Sequence, residues 1–249
     1  MRRYLILSLV VTLHLTSPSV SKSEPMPDPL SQTFEYILWY PSHYLSGLRQ
    51  ISDVKSDKYV WYTGFVALPL AFLADDYVQD VANKNLYSGC ISKIGDEYGH
   101  PWGYYGAAAA VAISGIVKEQ SITKTFAQLQ LMGEAVFTTA TITSILKDIT
   151  NRERPNDRSY KSFPSGHTSG SFALAACLSE IYGNRIGFLA YLMAAFTGST
   201  RINDNKHYLS DVVAGAIIGT VIGRGFSRQY RLELSNSNDR HTMKFSYNF

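Results

Sequence analysis

The sequence is poor in cysteine, has no run of basic residues and shows no internal repeat. Its 249 residues contain only Cys90 and Cys177, so at most one disulfide can form, and the sequence does not decide between that disulfide and a buried thiol at Cys177. A net charge of +3 without a basic cluster argues against a nucleic-acid-binding protein. Because neither repeats nor low-complexity segments divide the chain, its length favours one domain with a large core.

The N-terminus has the pattern of a secretory signal. Met1-Arg2-Arg3 is positively charged, and the apolar segment that follows, Tyr4–Leu15, is shorter than the ~20 residues that a transmembrane anchor needs. Ser19-Val20-Ser21 offers small residues for cleavage. We therefore predict a signal peptide over residues 1–21, a proline-containing linker over residues 22–33, and export to the periplasm or cell envelope.

The rest of the chain has the pattern of successive helices, with little strand character between Ser31 and Gly223. We expect an all-α fold, a helical bundle over residues 34–226. Proline should end the first helix near Pro41 and kink or break the second at Pro69, and the acidic pair at 75 and 76 is typical of a solvated helix end, less often of a binding or pairing site. The predicted helices are Phe34–Tyr40, Tyr59–Ala74, Tyr77–Leu86, Trp102–Val117, Ser121–Leu146, Ser169–Tyr182, Ile186–Thr200 and Val212–Gly223, with a loop over Tyr87–Pro101.

The uncharged segments are short for a membrane protein. The longest, Tyr59–Ala74 and Trp102–Val117, have 16 residues each, whereas a span needs ~20 and shorter runs are more often buried core. The mean hydropathy of −0.07 is also ordinary for a soluble chain. These features favour a periplasmic bundle, soluble or peripherally attached to the membrane, over an integral one.

Residues 227–249 have a different pattern. Apolar and polar residues alternate on both sides of a polar segment at 235–239, which is the period of a β-hairpin. We predict a C-terminal tail that forms a short hairpin or packs in extended form on the bundle. The alternative is that its apolar face contacts lipid or a partner. The alternating apolar residues are Tyr230, Leu232, Leu234, Met243, Phe245, Tyr247 and Phe249.

Three blocks between residues 147 and 211 concentrate the residue types that bind and attack a phosphate. A phosphoryl group in transfer spreads negative charge over its oxygens and needs several fixed positive donors. Lys147 offers a point charge, while Arg154 and Arg201 offer planar forks that match phosphate oxygens. These cations would hold a phosphate without a metal ion.

The second block is a Pro-Ser-Gly-His turn. If a helix begins at Thr168, as the following apolar run suggests, the N–H groups around Ser165, Gly166 and His167 lie at its positive end. An oxyanion would bind favourably there.

Histidines in two separate blocks suit two separate roles. His207 and Asp211 are four residues apart, so on a helix they share one face. A carboxylate bonded to one ring nitrogen raises the basicity of the other, which makes His207 a candidate nucleophile toward phosphorus. His167 would protonate the leaving oxygen and later deprotonate water.

Each block alone has a plainer interpretation. Single lysines and arginines are mostly solvated, and a His/Asp pair at this spacing is often a surface pair. Ser165 lacks the Gly-x-Ser-x-Gly context of a triad nucleophile, and a zinc site of His167, His207 and Asp211 is disfavoured because the adjacent cations would repel a metal. The occurrence of all three blocks in order favours the catalytic interpretation.

Together the blocks resemble the signature of the type-2 phosphatidic acid phosphatase superfamily, which also holds bacterial non-specific acid phosphatases and vanadium haloperoxidases. The signature covers about a quarter of the chain. Thr200 stands where the family usually has serine, and it keeps the hydroxyl. The matching motifs are Lys147-x6-Arg154-Pro155, Pro164-Ser165-Gly166-His167 and Thr200-Arg201-x5-His207-x3-Asp211.

The resemblance implies a helical-bundle phosphatase. By similarity His207 is the nucleophile that becomes phosphohistidine, His167 the general acid and Asp211 the orienting partner of His207. The phosphate-binding residues implied in the same way are Lys147, Arg154, Ser165, Gly166 and Arg201.

We therefore expect a metal-independent phosphatase without a cofactor, acting on phosphomonoesters or diphosphates and first on lipid-linked ones such as phosphatidate or an isoprenyl diphosphate. The alternatives are a periplasmic non-specific acid phosphatase on soluble esters, a vanadium haloperoxidase, and a non-catalytic protein that binds anionic headgroups. In the haloperoxidases, vanadate imitates the phosphate. Their chains are much longer than this one, which argues against that alternative. Mere binding has no use for an acid and a nucleophile. The sequence gives no indication of the oligomeric state.

Overall fold

The computed structural model describes residues 33–84 and 87–246, together with Pro27. These residues form eight α-helices and no strand, which confirms the all-α prediction. The signal peptide predicted over residues 1–21, and the linker apart from Pro27 and Thr33, lie outside the described residues. The helices are α1 (Thr33–Ile51), α2 (Lys58–Ala82), α3 (Gly89–Tyr98), α4 (Pro101–Val117), α5 (Ile122–Thr150), α6 (Gly166–Tyr182), α7 (Asn184–Asn203) and α8 (Leu209–Ser246).

Two helices continue through prolines. Pro41 lies inside α1, so the predicted helix end at this residue was wrong. Pro69 lies inside α2 and does not break it. Both prolines are exposed, whereas the opposite faces of these helices carry buried residues such as His43 and Ala71. Packing of those faces offsets the local loss of a backbone hydrogen bond.

The predicted loop over Tyr87–Pro101 contains a helix, α3, so this prediction was also wrong. Glycines at 89, 95 and 99 suggested turns, but Gly95 serves a close contact. A Cβ at Gly95 would lie 2.5 Å from Thr200 Oγ1 of α7, so only glycine lets the two helices approach this closely.

Helix α8 runs through the segment predicted as a hairpin or extended tail. It continues to Ser246, so that prediction was wrong for residues 227–246, while residues 247–249 lie outside the described residues. Phe226 and Tyr230, four residues apart, are both buried in the core, and Gln229 donates a hydrogen bond of 2.8 Å to Glu233 Oε1. A helix buries this face as a unit, which outweighs the alternating pattern.

Helix α6 is the centre of the bundle and packs against α5, α7 and α8. Its segment Ala173–Cys177 is buried. Helix α8 approaches α6 through Gly215, Gly219 and Gly223, which are four residues apart and therefore share one face. A Cβ at Gly219 would lie 2.0 Å from the carbonyl oxygen of Ser169. Contact between the two backbones therefore fixes the start of α8 against the start of α6.

Buried ion pairs attach the first part of the chain to this centre. His43 of α1 lies 2.9 Å from Glu134 of α5 and 2.5 Å from Glu233 of α8. Asp57, just before α2, accepts a hydrogen bond of 2.7 Å from Arg228 of α8. Charges inside a protein are tolerated when they are paired in this way, so these contacts fix α1 and α2 against the bundle.

Large apolar side chains cover the outside of the bundle. Phe65 is 84% and Leu73 is 83% exposed, and similar residues lie on α1, α4, α5 and α7. Large apolar patches on a protein surface often mark contacts with a membrane or a partner. Within the described residues, Ile122–Thr150 and Leu209–Leu234 are long and apolar enough to cross a membrane. These helices extend beyond the uncharged runs of the sequence, so the shortness of those runs does not exclude a membrane span.

The two cysteines do not pair. Cys90 is an exposed free thiol on α3, and Cys177 is a buried free thiol on α6. The sequence left open a disulfide or a buried thiol at Cys177, and the structure contains the buried thiol.

Candidate active site

The predicted site residues gather at one end of the bundle, which we call the site end. Lys147 lies in the last turn of α5 and Arg201 in the last turn of α7. Helices α6 and α8 begin at Gly166 and Leu209. Because consecutive helices of this group run in opposite directions, two C-terminal ends and two N-terminal ends meet there.

The end of α5 sets the position of Lys147. Asn151 adopts the left-handed conformation (φ 43°, ψ 43°), which ends the helix, and donates its N–H to the carbonyl oxygen of Lys147 at 3.0 Å. Lys147 Nζ donates to the carbonyl oxygens of Lys161 and Ser162 at 2.7 and 3.1 Å. An ammonium group has three donors, so one remains for a ligand.

Each of the two predicted arginines keeps an open donor. Arg154 Nε and Arg201 Nε are buried and have no hydrogen-bond partner among the described residues. Arg201 is only 1% exposed; one terminal nitrogen donates to Asp96 and the other to Thr200 Oγ1 at 3.3 Å. Since buried donors are nearly always paired, the open donors indicate room for an anionic ligand.

The turn of the second block is the start of α6. Ser165 is the residue before the helix and is fully buried; its Oγ accepts from Thr168 Oγ1 at 2.9 Å. Its N–H donates to the carbonyl oxygen of Asp211 at 2.9 Å, which joins α6 to α8. The N–H groups of Gly166 and His167 belong to the first turn and have no acceptor within the helix. The helix N-terminus that we expected to bind an oxyanion is therefore present, but it begins two residues earlier, at Gly166 instead of Thr168.

His207 and Asp211 lie together as predicted, but they do not share a helix face, because His207 precedes α8, which begins at Leu209. His207 is 3% exposed, and its Nδ1 lies 3.4 Å from Asp211 Oδ2, a contact without an aligned hydrogen bond. Burial lowers the pKa of His207 to about 4; Asp211 opposes this shift and Lys147 adds to it. The imidazole is therefore neutral at pH 7 and keeps a free lone pair.

Three donors fix the carboxylate of Asp211. Arg152 donates to Oδ1 at 2.8 Å, and the Ser162 hydroxyl and the Tyr208 N–H donate to Oδ2 at 2.5 and 2.9 Å. The bond to Tyr208 also caps the first turn of α8. A carboxylate held in this way fixes the orientation of the ring of His207.

Arg152 and Asp75 belong to the site and were missed by the sequence analysis. Arg152 donates to Asp75 Oδ2 at 2.8 Å, and its guanidinium carbon lies 4.1 Å from the ring centre of Tyr208. Asp75 also accepts from the N–H and the hydroxyl of Ser210 at 2.8 and 2.6 Å. The less favoured interpretation of the acidic pair, a pairing site, is therefore the right one for Asp75. The position of Arg152 inside the first block was the available signal.

Asp96 of α3 faces His167, although nothing in the sequence pointed to it. Its Oδ1 lies 3.2 Å from His167 Nε2 and contacts Arg201, and its Oδ2 lies 3.5 Å from Lys206 Nζ. Burial and Arg201 lower the pKa of His167 to about 4, while Asp96 opposes the shift. Burial alone would raise the pKa of Asp96, but Arg201 and Lys206 outweigh it and hold this pKa below its usual value.

Several curated proteins are similar to parts of this chain. Lipid A 1-phosphatase of Porphyromonas gingivalis is 41% identical over 75 residues, which are 29% of this chain and 17% of the relative. Lipid phosphate phosphatase 1 of Arabidopsis thaliana is 32% identical over 138 residues, 39% of this chain and 42% of the relative. Undecaprenyl-diphosphatase BcrC of Bacillus subtilis is 38% identical over 68 residues, 27% of this chain and 34% of the relative.

The chain thus spans less than half the length of each of these relatives. No solved structure matches it. Residues 128–234 match the PAP2 superfamily, and this range includes all eight predicted site residues. The chain therefore carries a PAP2 superfamily domain, formed by most of α5 and by α6, α7 and the first two-thirds of α8.

Proposed function

We propose that this protein is a metal-independent phosphatase that hydrolyses phosphorylated lipids through a phosphohistidine at His207. The observation that carries the proposal is a group of buried polar atoms without hydrogen-bond partners among the described residues. At the site end they are Arg154 Nε and Arg201 Nε. A tetrahedral anion bound between the two imidazoles would satisfy both guanidinium donors.

In the first step, the unprotonated nitrogen of His207 forms a bond to phosphorus while the bond from phosphorus to the leaving oxygen breaks. Lys147, Arg154, Arg201 and the first N–H groups of α6 hold the non-bridging oxygens, where the negative charge develops. Asp211 stabilises the positive charge that the ring of His207 acquires.

His167 moves the protons. It gives a proton to the leaving oxygen in the first step. In the second step it takes a proton from water while the water oxygen bonds to phosphorus and the bond from phosphorus to His207 breaks, which releases phosphate. Its pKa of about 4 belongs to the ligand-free site. A bound phosphate places negative charge beside the ring, which raises this pKa and favours the protonated acid.

The outer surface supports a lipid substrate. The relatives are named for lipid A, lipid phosphate and undecaprenyl diphosphate. The exposed apolar side chains of this chain would place it at the cell membrane, where the hydrocarbon part of such a substrate resides. We therefore infer a membrane-associated enzyme of the cell envelope that acts on phosphatidate or isoprenyl diphosphates.

The test is phosphate release by the full chain in detergent micelles with a chelator present. The substrates are phosphatidate, an isoprenyl diphosphate and p-nitrophenyl phosphate. Preference for the lipids supports the proposal. Preference for the soluble ester would identify a non-specific acid phosphatase, and no release from any substrate would reject a phosphatase and leave halide oxidation with added vanadate as the next assay.

A second assay tests the nucleophile. Phosphate from a 32P-labelled substrate should appear on the protein as an acid-labile, base-stable adduct, and His207→Ala should abolish both the adduct and turnover while the protein stays folded. Lys93→Ala, an exposed change on α3, is the control and should leave turnover intact. Appreciable turnover by folded His207→Ala would contradict the assignment.

A further inference from the structure

Asp96 connects two groups to which the proposed function gives different tasks. Its Oδ1 lies 3.2 Å from Nε2 of His167, the proposed acid, and the same oxygen accepts from a terminal nitrogen of Arg201, a proposed phosphate ligand. Asp96 lies outside the range that matches the PAP2 superfamily. The family match therefore assigns it no role.

Helix α3 holds Asp96 firmly against the site. Ser92, Gly95, Asp96 and Gly99 share one face of the helix. Gly95 has no room for a Cβ beside α7, and a Cβ at Gly99 would lie 2.8 Å from the Cβ of His167. Ser92 donates a hydrogen bond to Asp204 at the end of α7. With contacts on both sides of Asp96, its carboxylate is placed by backbone packing.

The fork of Arg201 leaves room for both Asp96 and a phosphate. Asp96 uses one terminal nitrogen, Nη1. The Nε atom has no hydrogen-bond partner in the described part of the chain, and Nη2 makes only long contacts of 3.3 Å to Thr200 and 3.4 Å to Asp204. The Nε–Nη2 edge can therefore bind a phosphate in bidentate fashion while Nη1 stays with Asp96.

Most of the charges around His167 oppose an imidazolium. Arg201 and Lys206 are cations, and His207 adds to the unfavourable effect. The ring of His100 lies 6.2 Å away between centres. Asp96 is the carboxylate at ion-pair distance. A general acid must be protonated when the leaving oxygen departs. A site with several cations for phosphate therefore needs a negative charge beside the acid.

We propose that Asp96 is a positioning residue for the acid step: its carboxylate favours the protonated form of His167 and keeps the ring in place beside the phosphate-binding Arg201. In the step it supports, the bond from phosphorus to the leaving oxygen breaks, the bond to His207 forms, and the proton of His167 moves to the leaving oxygen. This inference rests on the proposed function.

The experiment compares two leaving groups. p-Nitrophenolate departs without a proton, whereas the alkoxide of an alkyl phosphate or of phosphatidate requires one. We measure kcat and KM of the wild type, Asp96→Asn, Asp96→Glu and His167→Ala on p-nitrophenyl phosphate and on an alkyl phosphate of similar size. Glu97→Gln, the neighbouring exposed carboxylate on α3, is the matched control.

Asp96→Asn should lower kcat on the alkyl phosphate at least about tenfold more than on p-nitrophenyl phosphate, since general acid catalysis contributes about 10²–10⁴-fold. Asp96→Glu should recover part of this difference, and Glu97→Gln should show none. In a His167→Ala background, Asp96→Asn should add no further leaving-group difference, because both changes disable one step.

Two results would overturn the inference. Equal losses on both substrates would show that Asp96 acts through binding or folding alone. Tighter inhibition by inorganic phosphate, without a leaving-group effect, would show that Asp96 only occupies the anion site of the ligand-free enzyme. Absence of turnover in the wild type would refute the proposed function itself, so the two failures are distinguishable.

Discussion

Replacing Arg152 with alanine should destabilise the folded protein and impair catalysis. Arg152 donates hydrogen bonds of 2.8 Å to Asp211 and to Asp75, whose side chains are 0% and 6% exposed. A hydrogen bond to a charged group contributes about 1.5–3 kcal/mol, and removing one partner of a buried ion pair costs about 3–5 kcal/mol. The side chain of Arg152 is itself 25% exposed, so we take the lower end, about 3 kcal/mol.

The expected cause is uncompensated negative charge inside the protein, which a second substitution can test. In the double variant Arg152→Ala/Asp75→Asn one of the two unpaired charges is gone, so stability should return by about half or more. Arg152→Lys should recover little, because an ammonium group cannot bridge two carboxylates as a planar fork does.

The assay is denaturant unfolding in detergent followed by circular dichroism, with the coupling free energy taken from a cycle of Arg152→Ala, Asp75→Asn and the double variant. Arg158→Ala, an exposed arginine in the same connection, is the control and should leave stability unchanged. Arg152→Ala as stable as Arg158→Ala, or strictly additive effects in the cycle, would refute the reasoning.

Three further predictions concern packing, protonation and thiols. Gly219→Val should lower the free energy of unfolding by about 2 kcal/mol or more, because overpacking a close contact forces the helices apart, whereas Gly133→Ala, where a Cβ meets open space, should be neutral or stabilising in the same assay. Between pH 6.5 and 4 acidification should lower Tm, because unfolded His207 binds a proton below its ordinary pKa while folded His207, with a pKa of about 4, does not; His207→Gln should have a shallower pH dependence. A maleimide should label Cys90 alone in the native protein and Cys177 only after denaturation, as counted by mass spectrometry.

For each of these predictions, one experimental result would contradict it. Equal stability of the two glycine variants would mean that the α6–α8 contact is not close. A Tm that rises or stays constant on acidification would mean that folded His207 takes up protons readily. A native protein without a reactive thiol, which gains two only after reduction, would contain a disulfide.

The sequence was sufficient for the fold class and for the residues gathered at the site end. Lys147, Arg201 and His207 lie at or beside helix ends, and ends of consecutive helices in a bundle are neighbours by topology alone. That the charged and polar residues of these blocks are neighbours can therefore be predicted without knowing how the side chains pack. The roles of these residues in catalysis stay predictions.

What the sequence could not give depends on contacts between distant segments. Pro41 and Pro69 would weaken an isolated helix, and only the buried opposite faces of α1 and α2 make them tolerable. Gly95 resembles a turn residue until Thr200 is placed against it. The same contact between α3 and α7 brings Asp96 to Arg201. Arg152 was visible in the first block, but its two carboxylate partners lie 77 and 59 residues away.

The glycine contacts between α6 and α8 have a consequence for how such a protein can diverge. Because main-chain atoms touch there, the separation between the start of α6, with His167, and the start of α8, beside His207, does not depend on which side chains pack elsewhere. The two helices act as a rigid frame. Helices α1 to α4 lie outside the PAP2 match, but α2 and α3 bring Asp75 and Asp96 to this frame. These outer helices can therefore diverge only where the two carboxylates keep their places.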